Sequence, residues 1–215
     1  METTISQYNY AYQDNCSGHH HAYLLDPLLK ILSQAKPFNQ QKLRVLDIGC
    51  GNGSLTNLIA QQGYEVVGVE ESESGVTLAR SSFPDCQFIQ GSIYNLPYAK
   101  LDNSFDSVIS CEVIEHLFYP RELLRAAKKC LKPNGVLIIT TPYHGYFKNL
   151  VLALSGKMDR HFTTLWDGGH IKFFSPKTLT ELLNQEDYTN IKFKFSGRCP
   201  YLWKSRLCSS SPVNS

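Results

Sequence analysis

The sequence lacks the features that mark nucleic-acid-binding, disulfide-rich and membrane-spanning proteins. Its 21 Lys and Arg residues balance 19 Asp and Glu residues, which leaves a formal net charge of +2 and no long basic run. Its seven cysteines are scattered without a C-x-x-C pair, a pattern typical of a reducing compartment rather than of a disulfide framework or a zinc site. No segment reaches roughly 18 uninterrupted apolar residues, and the amino terminus has no signal-peptide pattern. We therefore expect a cytoplasmic protein with no dedicated nucleic-acid surface.

Strand and helix signals alternate along the first two thirds of the 215 residues. The strand-like segments are KLRVLDIGC, YEVVGVE, CQFIQGS, FDSVISCEV and VLIITTP. The predicted helices are Leu24 to Leu32, Ser54 to Gln62, Glu73 to Ser82 and Arg121 to Leu131. This alternation predicts an α/β fold with a parallel, doubly wound sheet, and the length suits a single domain over residues 1–208.

The pattern changes after Pro142. Residues 143–169 are rich in aromatics, His and Gly and are too long for an ordinary connection, so we interpret them as an insert that is either a functional lid or partly mobile. A helix opens at Ser175 and Pro176, and YTNIKFKFSG and YLWKSRLC are predicted to pair antiparallel at one sheet edge. The polar residues 209–215 are predicted to be a disordered tail.

The segment VLDIGCGNGSLT, Val45 to Thr56, carries the strongest functional signal. An apolar strand that runs through glycines into a helix is the usual cradle for a nucleotide-like ligand. The spacing G-x-G-x-G departs from the G-x-G-x-x-G of dinucleotide sites, which argues against a dehydrogenase. Asp47 places a carboxylate at the strand end, where it could receive an ammonium group that NAD does not have.

These motifs resemble those of the class I S-adenosylmethionine-dependent methyltransferases. The resemblance covers Leu43 to Thr141, with VVGVE, QGSIYNLPY, FDSVISCEVIEHL and LKPNGVLIITTP in the expected order. It implies a Rossmann-like, mostly parallel seven-stranded sheet with the last strand antiparallel. It also implies S-adenosylmethionine as cofactor and S-adenosylhomocysteine as product. The cofactor-binding residues that it implies are Asp47, Gly49, Cys50, Gly51, Gly53, Glu70, Glu71, Ser92, Ile93 and Cys111.

The resemblance assigns roles to several of these residues. Glu70 occupies the acidic position that receives both ribose hydroxyls, a task that suits a carboxylate because it accepts two hydrogen bonds at once. Ser92 stands where the family usually has an Asp that addresses the adenine amino group, and Ile93 would contact the ring. Cys111 lies where relatives contact the cofactor through the main chain.

A second informative segment is CEVIEHL, Cys111 to Leu117. Glu112, Glu115 and His116 stand at i, i+3 and i+4 and would share one face if the segment were helical. With His170 they would form a site for a divalent cation. The arrangement resembles two metal-assisted branches of the family, the ubiquinone-type O-methyltransferases and the small-RNA 2′-hydroxyl methyltransferases, in which a cation, here Mg²⁺, would lower the pKa of the acceptor hydroxyl.

A metal-free interpretation of the same segment stays open. Relatives carry a similar E-x-x-E-H in which one Glu caps the turn and the His packs over the cofactor. In that case His116 would be the catalytic residue, a neutral imidazole that takes the acceptor's proton.

Two further segments bear on the acceptor. Residues 1–40 would form a helical lid as in similar enzymes, with the His19 to His21 triplet and with Tyr8, Tyr12 and Tyr23 as candidates. In the insert, the substrate candidates Tyr143, His144 and Trp166 favour a flat or lipid-like small molecule, and FKNLVLALSGKM has the pattern of a helix that contacts a membrane surface.

Three functions therefore remain from sequence. The leading one is methyl transfer to a hydroxyl of a small or lipid-like molecule. The alternatives are RNA 2′-O-methylation, against which the near-neutral charge stands, and a non-catalytic module that binds the cofactor. No feature of the sequence sets an oligomeric state.

Overall fold

A seven-stranded sheet organises the computed structural model, which describes residues 10–18, 21–35, 42–162, 164–197 and 204–213. The strands are β1 (Arg44–Ile48), β2 (Glu65–Glu70), β3 (Gln87–Gln90), β4 (Phe105–Cys111), β5 (Leu131–Pro142), β6 (Tyr188–Ser196) and β7 (Ser205–Pro212). Their order is β3-β2-β1-β4-β5-β7-β6, in which β1 to β5 pair in parallel and β7 is antiparallel to both neighbours. The predicted doubly wound, Rossmann-like sheet with an antiparallel last strand is confirmed.

Helices cover both faces of this sheet. They are α1 (His21–Leu32), α2 (Ser54–Ala60), α3 (Glu73–Ser82), α4 (Pro120–Cys130), α5 (Tyr146–Leu154), α6 (Met158–Phe162) and α7 (Pro176–Gln185). Apolar side chains of α4 and α7 pack on one face of the central strands, and those of α1 and α2 pack on the other. Every residue of β4 is buried, as expected for a central parallel strand. Burial of each large apolar side chain there contributes about 1.5–3 kcal/mol.

Local signals set the helix starts. In α3, Ser72 accepts a hydrogen bond from the Gly75 N–H, and in α7 Ser175 and Thr178 form a reciprocal capping box with Pro176 in the first turn. The predicted cap at Ser175 is confirmed, and each such cap contributes about 1 kcal/mol.

The serine-rich end of the chain differs from its prediction. Residues 209–215 were expected to be disordered, but 209–212 belong to β7, where Ser210 pairs with Leu137 of β5. The strand lies between β5 and β6, so its backbone is hydrogen-bonded on both sides, and this pairing outweighs the polar composition. Of the predicted strand YLWKSRLC, residues 201–203 lie outside the described residues.

Two further segments, the amino-terminal residues and the insert, contribute no strand to the sheet. Residues 10–18, here called the N-terminal strap, run without regular structure. The insert forms the two short helices α5 and α6, and no residue of either helix is buried. Among the described residues, no helix combines the length and the apolar character needed to cross a bilayer.

Candidate functional site

A cavity of about 1040 Å³ lies where the carboxyl ends of β1, β2 and β4 meet. The strand order reverses between β1 and β4, and ligands of open α/β sheets bind at such a reversal. One side of the cavity, here the glycine-loop side, is lined by residues 47–52, 69–73, 90–91 and Ile93. The opposite side, here the insert side, is lined by residues 116–118, Trp166 and residues 168–171.

The glycine loop brings bare backbone to the cavity. Gly49 and Gly51 have φ of +79° and +56°, in the left-handed region that favours glycine. A Cβ on Gly49 would lie 2.6 Å from Val113, and one on Gly51 would lie 2.9 Å from the Tyr12 hydroxyl oxygen. Side chains at positions 49 and 51 would therefore clash, and the backbone of the loop faces the cavity directly.

Glu70 cross-links this loop to the next one. Its Oε2 accepts a hydrogen bond from the Gly51 N–H at 2.9 Å, and its Oε1 accepts one from the Ser72 N–H at 2.9 Å. Burial raises the pKa of Glu70, and these two N–H donors counteract the rise. The carboxylate thus fixes the shape of the glycine-loop side and keeps lone pairs for a ligand.

Asp47 is the most deeply buried acid on the glycine-loop side. Its side chain is 1% exposed, and its Oδ2 accepts a hydrogen bond from the Thr56 hydroxyl at 2.7 Å. Burial raises the pKa of Asp47 to about 7, and the Thr56 hydrogen bond limits that rise. A carboxylate in this state gains from a cationic ligand, because the ligand's charge stabilises the ionised form.

Eight of the ten predicted cofactor-binding residues line the cavity, and Gly53 and Ser92 do not. A Cβ on Gly53 would lie 2.7 Å from the Phe88 ring, so this glycine serves the packing of α2. The Ser92 hydroxyl accepts a hydrogen bond from the Tyr94 N–H at 3.3 Å within its own turn. Ile93, next to it, does line the cavity.

The sequence predicted that Glu112, Glu115 and His116 would share one face of a helix, and this prediction is wrong. Glu112 has a left-handed φ of +55°, and only Ile114–His116 form a 3₁₀ turn. The Glu112 carboxylate turns toward β5 and β7, where it accepts hydrogen bonds from Thr140 at 2.8 Å and Ser205 at 3.3 Å. Its carboxylate is therefore not among the donor atoms that the other three predicted metal ligands bring together.

Those three ligands come together. Donor atoms of Glu115, His116 and His170 all lie within 4.8 Å of one another. Glu115 is fully buried, and neither carboxylate oxygen has a hydrogen-bond partner in the part of the chain that the structure describes. Burial, and next the charge of Glu112, raise the pKa of Glu115 well above its usual value. A buried carboxylate beside two imidazoles fits a divalent cation, and the buried Arg206 guanidinium is a further positive charge that acts on Glu115.

The surroundings of His116 define its protonation. The carbonyl oxygens of Gly168 and Gly169 lie 2.8 Å and 3.3 Å from its Nδ1, and the Tyr10 hydroxyl oxygen lies 2.9 Å from the same atom. Burial lowers the pKa of His116, so the ring is neutral near pH 7. Since carbonyl oxygens only accept hydrogen bonds, the proton belongs on Nδ1, which leaves the lone pair on Nε2.

Of the three predicted substrate residues, one lines the cavity. Trp166 does so, with its ring 5.8 Å from that of His116. Tyr143 instead packs edge-on against Phe195 at 5.3 Å, and His144 lies edge-on to Phe173 at 5.0 Å. Neither residue lines the cavity, and both contact neighbouring segments just after the end of β5.

Sequence reasoning missed part of the insert side. Phe118 and Ile171 line it and are 57% and 42% exposed, and Tyr10 reaches it from the strap. No local pattern distinguishes these residues from other apolar and aromatic residues at the surface. Of the lid candidates, Tyr12 and Tyr23 line the cavity, while Tyr8 lies outside the described residues.

The histidine triplet is described only at its last member. His21 begins α1, is buried and has its Nδ1 3.4 Å from the Ser54 hydroxyl oxygen. His19 and His20 lie outside the described residues.

Comparisons with known proteins identify a family for this chain. A family model described as a methyltransferase domain matches residues 17–192. The ubiquinone biosynthesis O-methyltransferase of Dinoroseobacter shibae is 34% identical over 162 residues, which are 72% of this chain and 62% of that protein. The enzyme of the same name from Roseobacter denitrificans is 31% identical, over 82% of this chain and 71% of its own length. The chain thus spans about two thirds of these relatives.

Solved structures with a similar fold include two that match almost the whole chain. A Pyrococcus horikoshii protein has a TM-score of 0.68 at 21% identity, over 94% of this chain and 95% of its own. Magnesium protoporphyrin IX methyltransferase from Synechocystis, solved with bound S-adenosylhomocysteine, has a TM-score of 0.67 at 19% identity, over 94% and 91%. At these identities the match establishes the fold.

Proposed function

This chain belongs to the class I S-adenosylmethionine-dependent methyltransferases, and we propose that it methylates a hydroxyl group of a small, largely apolar molecule. The observation that carries the acceptor half of this proposal is the insert side of the cavity. There a neutral imidazole, His116, stands beside the exposed apolar surfaces of Phe118, Trp166 and Ile171. Such a wall suits an aromatic or lipid-like acceptor with one polar group to be modified.

The glycine-loop side would hold the cofactor. Asp47 would receive the ammonium group, Glu70 the ribose hydroxyls, and Ile93 would pack on the adenine, while Gly49 and Gly51 let the backbone approach. When bound, the sulfonium supplies an electrophilic methyl group for in-line displacement. The protein's main task is then alignment and exclusion of water, to which the strap contributes by covering the loop.

His116 would act as the general base. With its proton on Nδ1, its Nε2 can accept the proton of the acceptor hydroxyl as the oxygen forms its bond to the methyl carbon. Burial lowers the pKa of His116, which keeps this nitrogen unprotonated near neutral pH. Proton transfer of this kind typically contributes about 10²–10⁴-fold to the rate.

A metal-assisted variant of the same reaction is supported by the orphaned Glu115 carboxylate. Glu115, His116 and His170 would hold a divalent cation, which when bound would lower the pKa of the acceptor hydroxyl. Two imidazoles and one carboxylate form a nitrogen-rich donor set, which suits Zn²⁺ or a similar transition metal better than the Mg²⁺ inferred from sequence. In that variant His116 binds the cation and is not the base.

A lipid-like acceptor and peripheral contact with a membrane are supported by the outer surface of the insert. Tyr146 and Leu154 of α5 are 97% and 80% exposed, and Leu165 is fully exposed. The helix contains no acidic residue, and Lys157 follows it. Apolar side chains with a flanking cation are typical of helices that lie in a membrane interface.

Calorimetric titration with S-adenosylhomocysteine, repeated with NAD, in Zn²⁺, in Mg²⁺ and in chelator, tests the cofactor and the metal together. We expect micromolar binding of S-adenosylhomocysteine alone. Turnover is then measured with catechol, with a phenol that carries a short alkyl chain, and with a small RNA. Methylation of the RNA alone, with salt-sensitive binding, would contradict the small-molecule proposal, and binding without turnover would favour a non-catalytic module.

A further inference from the structure

The N-terminal strap is fastened to the glycine-loop side through its backbone. The Tyr10 carbonyl accepts hydrogen bonds from the hydroxyls of Ser72 and Ser74, and the Tyr12 N–H donates to Ser74 at 3.1 Å. Farther along, the Asn52 side chain donates to the carbonyls of Asp14 and Cys16, each at 3.0 Å. These contacts hold the strap against the loop that would carry the cofactor.

The side chain of Tyr10 leaves this side and crosses to the insert side. Its hydroxyl lies 2.9 Å from His116 Nδ1 and donates a hydrogen bond to the Gly168 carbonyl. Its ring meets the imidazole edge-on, with centroids 5.7 Å apart and planes at 83°. Tyr10 is therefore joined to the glycine-loop side by its carbonyl and to the insert side by its hydroxyl.

The chemistry of these contacts fixes the direction of each hydrogen bond. Because the Tyr10 proton goes to the Gly168 carbonyl, the phenol oxygen turns its lone pairs to His116 Nδ1. Three oxygens then surround that nitrogen as acceptors. The two glycine carbonyls select the tautomer with Nδ1 protonated, and the Tyr10 hydroxyl adds a third acceptor that restricts rotation of the ring, as an additional hydrogen-bond partner does for metal-bound or catalytic histidines.

We propose that Tyr10 is a positioning residue, which fixes the orientation of the His116 ring from the strap that covers the cofactor loop. The proposal rests on the proposed function only in taking His116 as the group that faces the acceptor. It couples the two sides of the cavity, because the strap cannot leave the glycine-loop side without withdrawing the hydroxyl that holds the imidazole.

Tyr10→Phe tests the proposal, since it keeps the ring contact and removes the hydroxyl. Long-range ¹H–¹⁵N spectra of the S-adenosylhomocysteine complex are recorded in chelator, with the His116 signals assigned by comparison with His116→Asn. We expect both proteins to show the Nδ1-protonated tautomer, and we expect the Nδ1–H signal to be sharp in wild type and broadened or lost in Tyr10→Phe, because fewer partners then hold the ring. With a phenol that the wild-type protein methylates, Tyr10→Phe should lower kcat about 10- to 100-fold, while KM and S-adenosylhomocysteine affinity change less than about twofold.

The matched control is Tyr94→Phe, which removes a hydroxyl that accepts a hydrogen bond from the Tyr119 N–H at 3.4 Å, outside the cavity lining. It should leave the His116 signals unchanged. Identical His116 spectra in wild type and Tyr10→Phe would overturn the proposal and leave Tyr10 as an anchor of the strap. Absence of turnover in wild type would instead count against the proposed function, because the spectra decide the role of Tyr10 without any reaction.

Discussion

The glycine-loop side of the cavity lies at the ends of buried strands, whereas the insert side combines the buried turn at residues 114–117 with exposed apolar side chains. Asp47 and Glu70 are 1% and 7% exposed and bonded to their neighbours, while Phe118 and Trp166 are about half exposed. Buried, hydrogen-bonded groups are rigid and tolerate few substitutions, and loops carried by a rigid scaffold vary freely. The contrast fits the proposed division, in which the glycine-loop side holds the cofactor and the insert side holds the acceptor.

Removal of the His116 imidazole should have the largest effect, and it should lower kcat without changing cofactor affinity. His116→Gln should lower kcat by about 10²–10⁴-fold, because the general base is lost, and leave S-adenosylhomocysteine affinity nearly unchanged. Steady-state kinetics and calorimetry on the same preparation measure both. The companion variant His170→Gln should retain most of the activity if His116 acts as a base. Equal losses in the two variants, seen only when a divalent cation is present, would assign the role to the three-donor cluster instead.

Loss of the Glu70 carboxylate should instead act on the affinity for S-adenosylhomocysteine. Glu70→Ala should weaken S-adenosylhomocysteine binding by about 1.5–3 kcal/mol, since charge-assisted hydrogen bonds to the ribose disappear and the Gly51 and Ser72 N–H groups lose their acceptor. Glu65→Ala is the control, because Glu65 lies at the other end of β2 in an exposed ion pair with Arg44. Unchanged affinity in Glu70→Ala would remove the ribose assignment.

Proton release on binding tests Asp47. Because burial raises the pKa of Asp47 to about 7, roughly half of the carboxyl groups are protonated at pH 7, and a bound ammonium would ionise them. We expect release of about half a proton per S-adenosylhomocysteine at pH 7, seen as a dependence of the calorimetric enthalpy on the buffer. Asp47→Asn should abolish that release, and Asp102→Asn, at an exposed site, should not. Buffer-independent enthalpy in wild type would contradict the assignment.

The same raised pKa has a consequence for the free protein. A carboxyl that is harder to ionise in the folded state than in the unfolded state contributes stability at low pH, and that contribution falls as the pH rises through about 7. Thermal unfolding of the free protein should therefore show a lower Tm at pH 8 than at pH 6 from this group. Asp47→Asn should flatten that part of the profile.

Substitutions on the exposed face of α5 should have the smallest effect on the free energy of unfolding. Combined Phe147→Ser and Leu154→Ser should change the free energy of unfolding by about 0.5 kcal/mol or less, because both side chains lie mostly in solvent. Leu124→Ala in the buried face of α4 should cost about 2–5 kcal/mol in the same denaturant titration. Binding to anionic vesicles should fall in the α5 variant alone. Equal vesicle binding in both would argue against membrane contact through this helix.

The parts of the molecule that were predictable from sequence are those encoded by short segments. Strand and helix alternation, the glycine turn and the Ser175 cap each depend on a few neighbouring residues, and all appear in the structure. The positions of Asp47 and Glu70 were also predictable, because both residues lie at the carboxyl ends of strands that the hydrophobic runs identify as buried.

The predictions that failed depend on contacts between distant segments. Glu112 leaves the predicted helical face because its left-handed backbone turns the side chain to Thr140 and Ser205. The serines of β7 form a strand because two other strands flank them. Tyr10 meets His116 across 106 positions of sequence, and no periodicity or motif encodes such a meeting.

The position of β7 inside the sheet also constrains how the chain can assemble. Since β6 precedes β7 in sequence but lies outside it, β6 has no place to dock until β7 has been made. β6 therefore joins the sheet only through β7, either as a preformed hairpin or after β7 has paired with β5, and the pairing of β7 with β5 is non-local. Until then the buried strand β5 presents an open hydrogen-bonding edge, which is the place where a partly folded chain would pair with another copy.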